Sequence, residues 1–341
     1  MGAWRAPTFW WQEKRTWPSL LLAPIGALYG AITALRMKRR GARVDVPVIC
    51  VGNFIAGGAG KTPTALAVAA MLVDMGEKPV FLSRGYGSKA GQSPTPVQVD
   101  AAIHSAADVG DEPLLLARVA PVFVCADRLV GAKAAIAAGA SVLVMDDGLQ
   151  NRSLHQDMRL AVVDGASGIG NGACVPAGPL RAPLKAQLPY VSALVLIGAG
   201  EPGERVAARA EAASIAVHRG ALKADQGMAA KLKGQKVFAF AGIGLPQKFY
   251  ATLTALGADI IATKSFGDHQ PYMLADLQLM HRQATRMGAL LVTTEKDFVR
   301  LQPLAEELSW HGIAPLAVPV RLTFDDDAPL RALLARTLKK N

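Results

Sequence analysis

Val48-Ile49-Cys50-Val51-Gly52-Asn53-Phe54-Ile55-Ala56-Gly57-Gly58-Ala59-Gly60-Lys61-Thr62-Pro63 is an apolar run that enters a glycine-rich turn and leaves it on a threonine and a proline. The apolar run reads as a strand. Pro63, with its fixed φ, suits the first turn of a helix. Glycines let successive backbone N–H groups curl around phosphate oxygens, and the helix N-terminus adds partial positive charge. The stretch therefore reads as a phosphate-binding loop, with Gly57, Gly58, Ala59, Gly60, Lys61, Thr62 and Pro63 holding the ATP phosphates. Lys61 would bridge the β- and γ-phosphates, and the Thr62 hydroxyl would bind Mg²⁺. Ile55 stands where the pattern G-x-x-x-x-G-K-[ST] has its first glycine, so the local form is the variant G-G-x-G-K-T.

Val142-Leu143-Val144-Met145-Asp146-Asp147-Gly148 is a second apolar strand, and it ends in carboxylates. At the ligand edge of a sheet, beside the phosphate loop, such a group can hold Mg²⁺ directly or through water. Either Asp146 or Asp147 fits that role.

Between and beyond these two elements, short apolar runs alternate with helical stretches. Strands are predicted at 46–51, 79–83, 122–125, 142–145, 160–163 and 194–197, and the clearest helices at 65–75 and 132–138. Fully apolar strands alternating with helices point to a parallel sheet covered on both faces. A second series of strands is predicted at 236–241, 259–262, 289–293 and 316–320, with residues 199–235 as the connection. The expectation is an α/β protein in three parts. Residues 1–45 form a membrane-associated segment, residues 46–235 a P-loop domain of the NTPase type, and residues 236–341 a smaller C-terminal α/β domain closing the active site.

Charge and tryptophan are concentrated at the N-terminus. Residues 1–45 hold eight basic and two acidic side chains, so +6 of the chain's +10 lies there. That placement suits an anionic surface better than a nucleic-acid domain. Thr16 to Leu35 is a 20-residue stretch without charge, close to the length that crosses a bilayer core. Trp4, Trp10, Trp11 and Trp17 crowd its start, and Arg36, Lys38, Arg39, Arg40 and Arg43 follow its end. Indoles favour the headgroup layer, and cations favour the cytosolic side. Pro24, Gly26 and Gly30 weaken a straight spanning helix, so an interfacial helix is an equal reading. No small-residue cleavage site marks a signal peptide. The three cysteines (Cys50, Cys125 and Cys174) and six histidines show no metal-ligand spacing, which argues against a zinc or redox centre.

Further motifs follow in order: V-G-N-F before the loop, S-R-G-Y-G at 83–87, G-D-E-P at 110–113, A-D-R at 126–128 and D-D-G-L-Q at 146–150. P-A-G-P-L-R at 176–181, F-G-D-H at 266–269 and T-T-E-K-D at 293–297 complete the series. Together with the apolar N-terminus, this series resembles the tetraacyldisaccharide 4'-kinase family, the lipid A kinases of Gram-negative bacteria. The resemblance implies phosphoryl transfer from Mg-ATP to the 4'-hydroxyl of a lipid A disaccharide precursor, on the cytoplasmic face of the inner membrane and among its lipids. It implies Asp111 as catalytic base, assisted by His269. A sugar hydroxyl is a weak acid, so a positioned carboxylate to accept its proton is chemically reasonable. Arg84, Arg128 and Arg181 become candidates for phosphate contacts, because the guanidinium fork matches phosphate oxygens. Arg128 is placed with the catalytic groups. Tyr86 and Gln150 join Arg84 and Arg181 around the substrate, Glu112 joins Asp146 and Asp147 at the metal, and Asp297 is a supporting group. Asn151 and Ala182 depart from residues common in the family. No nucleic acid and no obligate protein partner are implied. Two other readings compete: a membrane-associated P-loop ATPase or GTPase switch, and a nucleotide-binding membrane adaptor without chemistry.

Overall fold

The computed structural model describes residues 6–339, so Trp4 of the tryptophan cluster and Arg5 of the basic group lie outside the described residues. Val48–Asn53 forms β1, buried at every position. Such a strand needs cover on both faces and neighbours on both edges, and β1 has them. Pro79–Ser83 (β2), Val97–Gln98 (β3), Val122–Val124 (β4), Val142–Asp146 (β5), Met158–Asp164 (β6), Ala193–Ile197 (β7) and Ala216–Ala224 (β8) surround it. The nine-stranded sheet runs β13-β8-β7-β6-β1-β5-β2-β4-β3, β13 being Val320–Phe324. Its pairs are parallel except for the edge pairs β3–β4 and β8–β13. Lys236–Ala241 (β9), Asp259–Ser265 (β10), Leu290–Thr294 (β11) and Leu316–Val318 (β12) make a second, wholly parallel sheet in the order β10-β9-β11-β12. The α/β class, the phosphate-loop strand and the smaller second sheet all follow the sequence reading.

The division at residue 235 does not match the sheet pairing. Residues 199–235 are no bare connection: they carry helix Glu201–Ala212, the nine-residue β8 and helix Gln226–Leu232. The single strand predicted at 316–320 splits at Pro319. Its first part pairs with β11 and its second with β8, in another sheet. Proline cannot donate to a ladder, and the break falls where the chain changes partner. The C-terminal residues 320–338 therefore return to the large sheet, and the small domain is an insertion between β8 and β13. The two crossings lie side by side, with Asp225 N donating to Pro319 O at 3.2 Å.

Helix Trp17–Met37 lies against the large domain along one face, where Ser19, Gly26, Gly30 and Met37 are buried. Ser19 Oγ donates to Ala177 O at 2.7 Å. A Cβ on Gly26 would sit 2.6 Å from Cys174 O, and one on Gly30 2.6 Å from Cys174 Sγ. Small residues here permit close backbone approach. The opposite face exposes Trp17, Leu20, Leu21, Ile25, Leu28 and Leu35.

Helix Ala328–Leu338 sends Leu330 and Leu334 into the same core as Ile49, Leu72 and Val144. Leu334→Ala should lower unfolding free energy by about 2–5 kcal/mol through the cavity it leaves. The loss should appear in the transition that ATP binding protects, measured by thermal melting with and without nucleotide. A change confined to a nucleotide-insensitive transition would contradict this packing.

Candidate active site

The phosphate loop is shaped by its own side chains and by a neighbouring loop. Asn53 Nδ2 donates to Gly57 O at 3.0 Å, and Lys61 Nζ to the same oxygen at 3.3 Å. Gly57 and Gly60 have φ of +129° and +88°, a region that side chains disfavour. A Cβ on Gly60 would also lie 2.5 Å from Ile197 Cδ1. Residues 174–181 run beside the loop: Ala56 N donates to Pro179 O at 2.7 Å and Arg181 N to Phe54 O at 2.9 Å. The P-A-G-P-L-R motif is thus a side support of the loop.

Asp146 and Asp147, adjacent at the end of β5, meet opposite surroundings. Arg181 grips both oxygens of Asp147, Nη1 to Oδ1 and Nη2 to Oδ2, each at 2.8 Å. Lys61 Nζ stands 3.7 Å from Asp147 Oδ2. Burial raises the Asp147 pKa, but Lys61 and Arg181 outweigh it and hold the carboxyl far below the usual range. Asp147 also has φ of +56°, and its carbonyl accepts Arg128 Nη2 at 2.9 Å. Asp146 is buried, and its Oδ1 has no hydrogen-bond partner among the described residues. Burial pushes it up to about 7, against the attraction of Lys61. An orphaned buried carboxylate oxygen next to a phosphate loop fits a divalent cation.

The third cluster joins the two domains. Asp111 and Glu112 open helix Asp111–Leu116 of the large domain. From the small domain, His269 Nδ1 approaches Asp111 Oδ2 to 3.1 Å. Lys296 Nζ reaches Glu112 Oε1 at 2.6 Å and stands 3.7 Å from Asp111 Oδ2. Burial acts against the charged form of Asp111, yet Lys296 and His269 overcome it and hold the carboxyl well below the ordinary range. Contact with Asp111 in turn raises the His269 pKa, although burial opposes it. His269 has φ of +58°. Strained backbone of this kind gathers where a side chain must be aimed.

These clusters face one cleft between the domains, about 2170 Å³ in volume. Arg84 and the exposed Tyr86 line it without a described ion pair, and Arg128, Glu112 and His269 line it as well. Arg181 and Gln150 are occupied differently from the substrate contacts the sequence suggested. Arg181 is committed to Asp147, and Gln150 Nε2 donates to Asn53 O at 2.7 Å and Gln187 Oε1 at 2.8 Å. Asp297 is fully buried and supports the small-domain side. Sequence reading passed over Lys296, Arg300 and Lys248. The first two stand one helical turn apart in T-T-E-K-D-F-V-R, a spacing that puts them on one face. Lys248 ion-pairs across the cleft with Asp164, at the end of β6.

Residues 18–339 match the family described as tetraacyldisaccharide-1-P 4'-kinase. A protein named tetraacyldisaccharide 4'-kinase from Methylobacterium sp. (strain 4-46) is 54% identical over 335 residues, 98% of each chain. A protein of the same name from Bradyrhizobium sp. (strain ORS 278) is 51% identical over 334 residues, again 98% of each. Among solved structures, an LpxK from Aquifex aeolicus described as in complex with ATP superposes with a TM-score of 0.71 at 25% identity. The match covers 94% of this chain and 99% of that one.

The raised pKa of Asp146 has a consequence for stability. The folded protein retains a proton that the unfolded chain releases near 3.8. This group's contribution is therefore greatest in acid and declines as pH rises toward about 7. In metal-free buffer, Asp146→Asn should remove that decline from the melting temperature between these values. An unchanged slope would mean that Asp146 ionises freely in the folded state.

Proposed function

This chain belongs to the tetraacyldisaccharide-1-P 4'-kinase family, and from that premise we infer how its residues perform the family's reaction. The protein is an ATP-dependent lipid kinase of lipid A biosynthesis. It phosphorylates the 4'-hydroxyl of a tetraacylated glucosamine disaccharide 1-phosphate. The observation that carries the assignment of roles is that the phosphate loop, Glu112 and His269 line the same interdomain cleft, with Asp111 buried in contact with His269 at its wall.

Lys61 and the loop from Gly57 to Pro63 bind the ATP phosphates. Asp146 and Thr62 would hold Mg²⁺, with Glu112 nearby. Asp147 serves instead as the anchor for Arg181 and Lys61, because both its oxygens are already taken. Bound Mg²⁺ would neutralise charge building on the phosphate oxygens. Arg128, buried with its Nε unpartnered among the described residues, contributes positive charge at the same place. Asp111 accepts the hydroxyl proton as the sugar oxygen bonds to the γ-phosphorus and the bond to ADP breaks. A carboxylate held below its usual pKa is fully ionised at neutral pH, and it takes the proton late, once the oxygen has become acidic. His269 orients that carboxylate. Arg84 and Tyr86, on the cleft wall, are the candidates for substrate contact.

The N-terminal helix is long and apolar enough to cross a membrane, but its small-residue face is docked on residues 174–183. Crossing would carry that docked surface into lipid. We therefore place the helix flat in the cytoplasmic interface of the inner membrane, its exposed leucines in the acyl boundary. Arg36, Arg39 and Arg40, at the far end, line the cleft. They would meet anionic headgroups where the substrate enters.

Transfer of labelled γ-phosphate from Mg-ATP to detergent-dispersed tetraacyl disaccharide 1-phosphate tests the reaction. Asp111→Asn should reduce it by about 10²-fold or more, the scale for losing a general base, with ATP affinity retained. Near-parental turnover would remove Asp111 from the mechanism. Leu21→Glu with Leu28→Glu should release the protein from anionic vesicles in a flotation assay while soluble ATP binding persists. Undiminished flotation would place membrane attachment elsewhere.

A further inference from the structure

Arg300, at the end of helix Glu295–Arg300, is almost completely buried. Its terminal nitrogens are both bonded within the small domain. Nη2 donates to Gly242 O at 2.7 Å and pairs with Asp297, and Nη1 donates to Gln270 O at 3.2 Å. Asp297 is itself held by Tyr272 Oη at 2.6 Å, Thr294 Oγ1 at 2.6 Å and Gly242 N at 3.0 Å. The guanidinium therefore has no freedom to turn. Its Nε is buried without a hydrogen bond among the described residues, while the buried Asp111 Oδ2 has His269 Nδ1 at 3.1 Å and Lys296 Nζ at 3.7 Å. Arg300 Nε and Asp111 Oδ2 face each other 3.7 Å apart across the domain boundary.

A buried donor left unpaired is penalised. A hydrogen bond of about 2.9 Å to Asp111 Oδ2 would satisfy it, because a carboxylate oxygen can accept a second donor beside His269. Arg300 cannot swing to close the gap, because three contacts fix its far end. Movement of the small domain toward the large one by about 1 Å would do it. The same side chain holds the Gln270 carbonyl, next to His269 in sequence, so it is tied to the loop that carries His269.

We propose that Arg300 is a positioning residue for the phosphoryl transfer. On domain closure its Nε–H donates to Asp111 Oδ2 and fixes the rotation of that carboxylate, while Nη1 keeps the His269 loop in register. The inference rests on Asp111 acting as the base. Lys296, an unbranched amine paired mainly with Glu112, cannot supply this fixed direction.

The test is a double-mutant cycle on kcat with Arg300→Lys and Asp111→Asn. Arg300→Lys keeps the charge but loses the planar fork. Alone it should lower kcat roughly ten- to hundredfold, as expected for a misplaced reacting group, with KM for ATP unchanged. In the Asp111→Asn background it should cost less than about twofold more, because the residues act as a unit. Equal loss in both backgrounds would overturn the proposal and leave Arg300 a structural residue of the small domain. A rise in KM for ATP with unchanged kcat would overturn it too. Should Arg300→Lys melt early, the cycle is repeated with Arg300→Gln, and the same coupling is required. Parental turnover in Asp111→Asn alone would instead defeat the base assignment, an outcome separate from uncoupled losses.

Discussion

Asp147 follows the last residue of β5 and has both carboxylate oxygens on Arg181, with Lys61 close behind. Three segments distant in sequence meet at that carboxylate: the phosphate loop, the strand-end acid pair and the loop of residues 174–181. Arg181 also donates through Nε to Ile55 O at 3.0 Å, so the same guanidinium props the backbone that the loop springs from. A buried ion pair of this kind contributes little net stability against an apolar substitute, but breaking one partner leaves a buried charge uncompensated. The arrangement of the phosphate loop depends on both partners being present.

Two neighbouring aspartates divide their work because their surroundings differ. Cations claim Asp147 and fix it as a structural anion. Asp146 has an oxygen without a hydrogen-bond partner among the described residues and a pKa pushed up to about 7. Separation of two carboxylates by environment is a recurring way to obtain two roles from one residue type. Across the cleft, Asp111 and Glu112 belong to one domain, while His269, Lys296 and Arg300 belong to the other. The cations in contact with the large domain's acid pair thus come from the small domain. The small domain brings the cations, with its own Asp268 and Asp297 beside them.

The nucleotide half of this site was legible in the sequence, because backbone geometry demands it. Glycines, lysine and threonine at fixed spacing, followed by an apolar strand ending in acids, leave few alternatives. The resemblance located Asp111 and His269, which no local spacing would have joined, since they lie 158 positions apart. Lys296 and Arg300 were hidden because a charged pair one turn apart usually marks a solvated face. The commitment of Arg181 and Gln150 to protein partners was equally invisible, since a motif shows which residues recur and not what they touch. Pro319 did carry a signal: a proline inside a predicted strand argues against an uninterrupted ladder.

The insertion of the small domain between β8 and β13 also bears on synthesis. Residues 225–319 leave the ribosome as one continuous unit and can form their own parallel sheet while the large domain still lacks an edge. The large sheet waits for β13 and helix Ala328–Leu338, whose Leu330 and Leu334 are fully buried in its core. Until that helix arrives, the nascent phosphate-loop domain presents an unpaired strand and an open apolar groove, a surface that chaperones bind. The stretch of chain after the insertion thus completes the domain that begins before it.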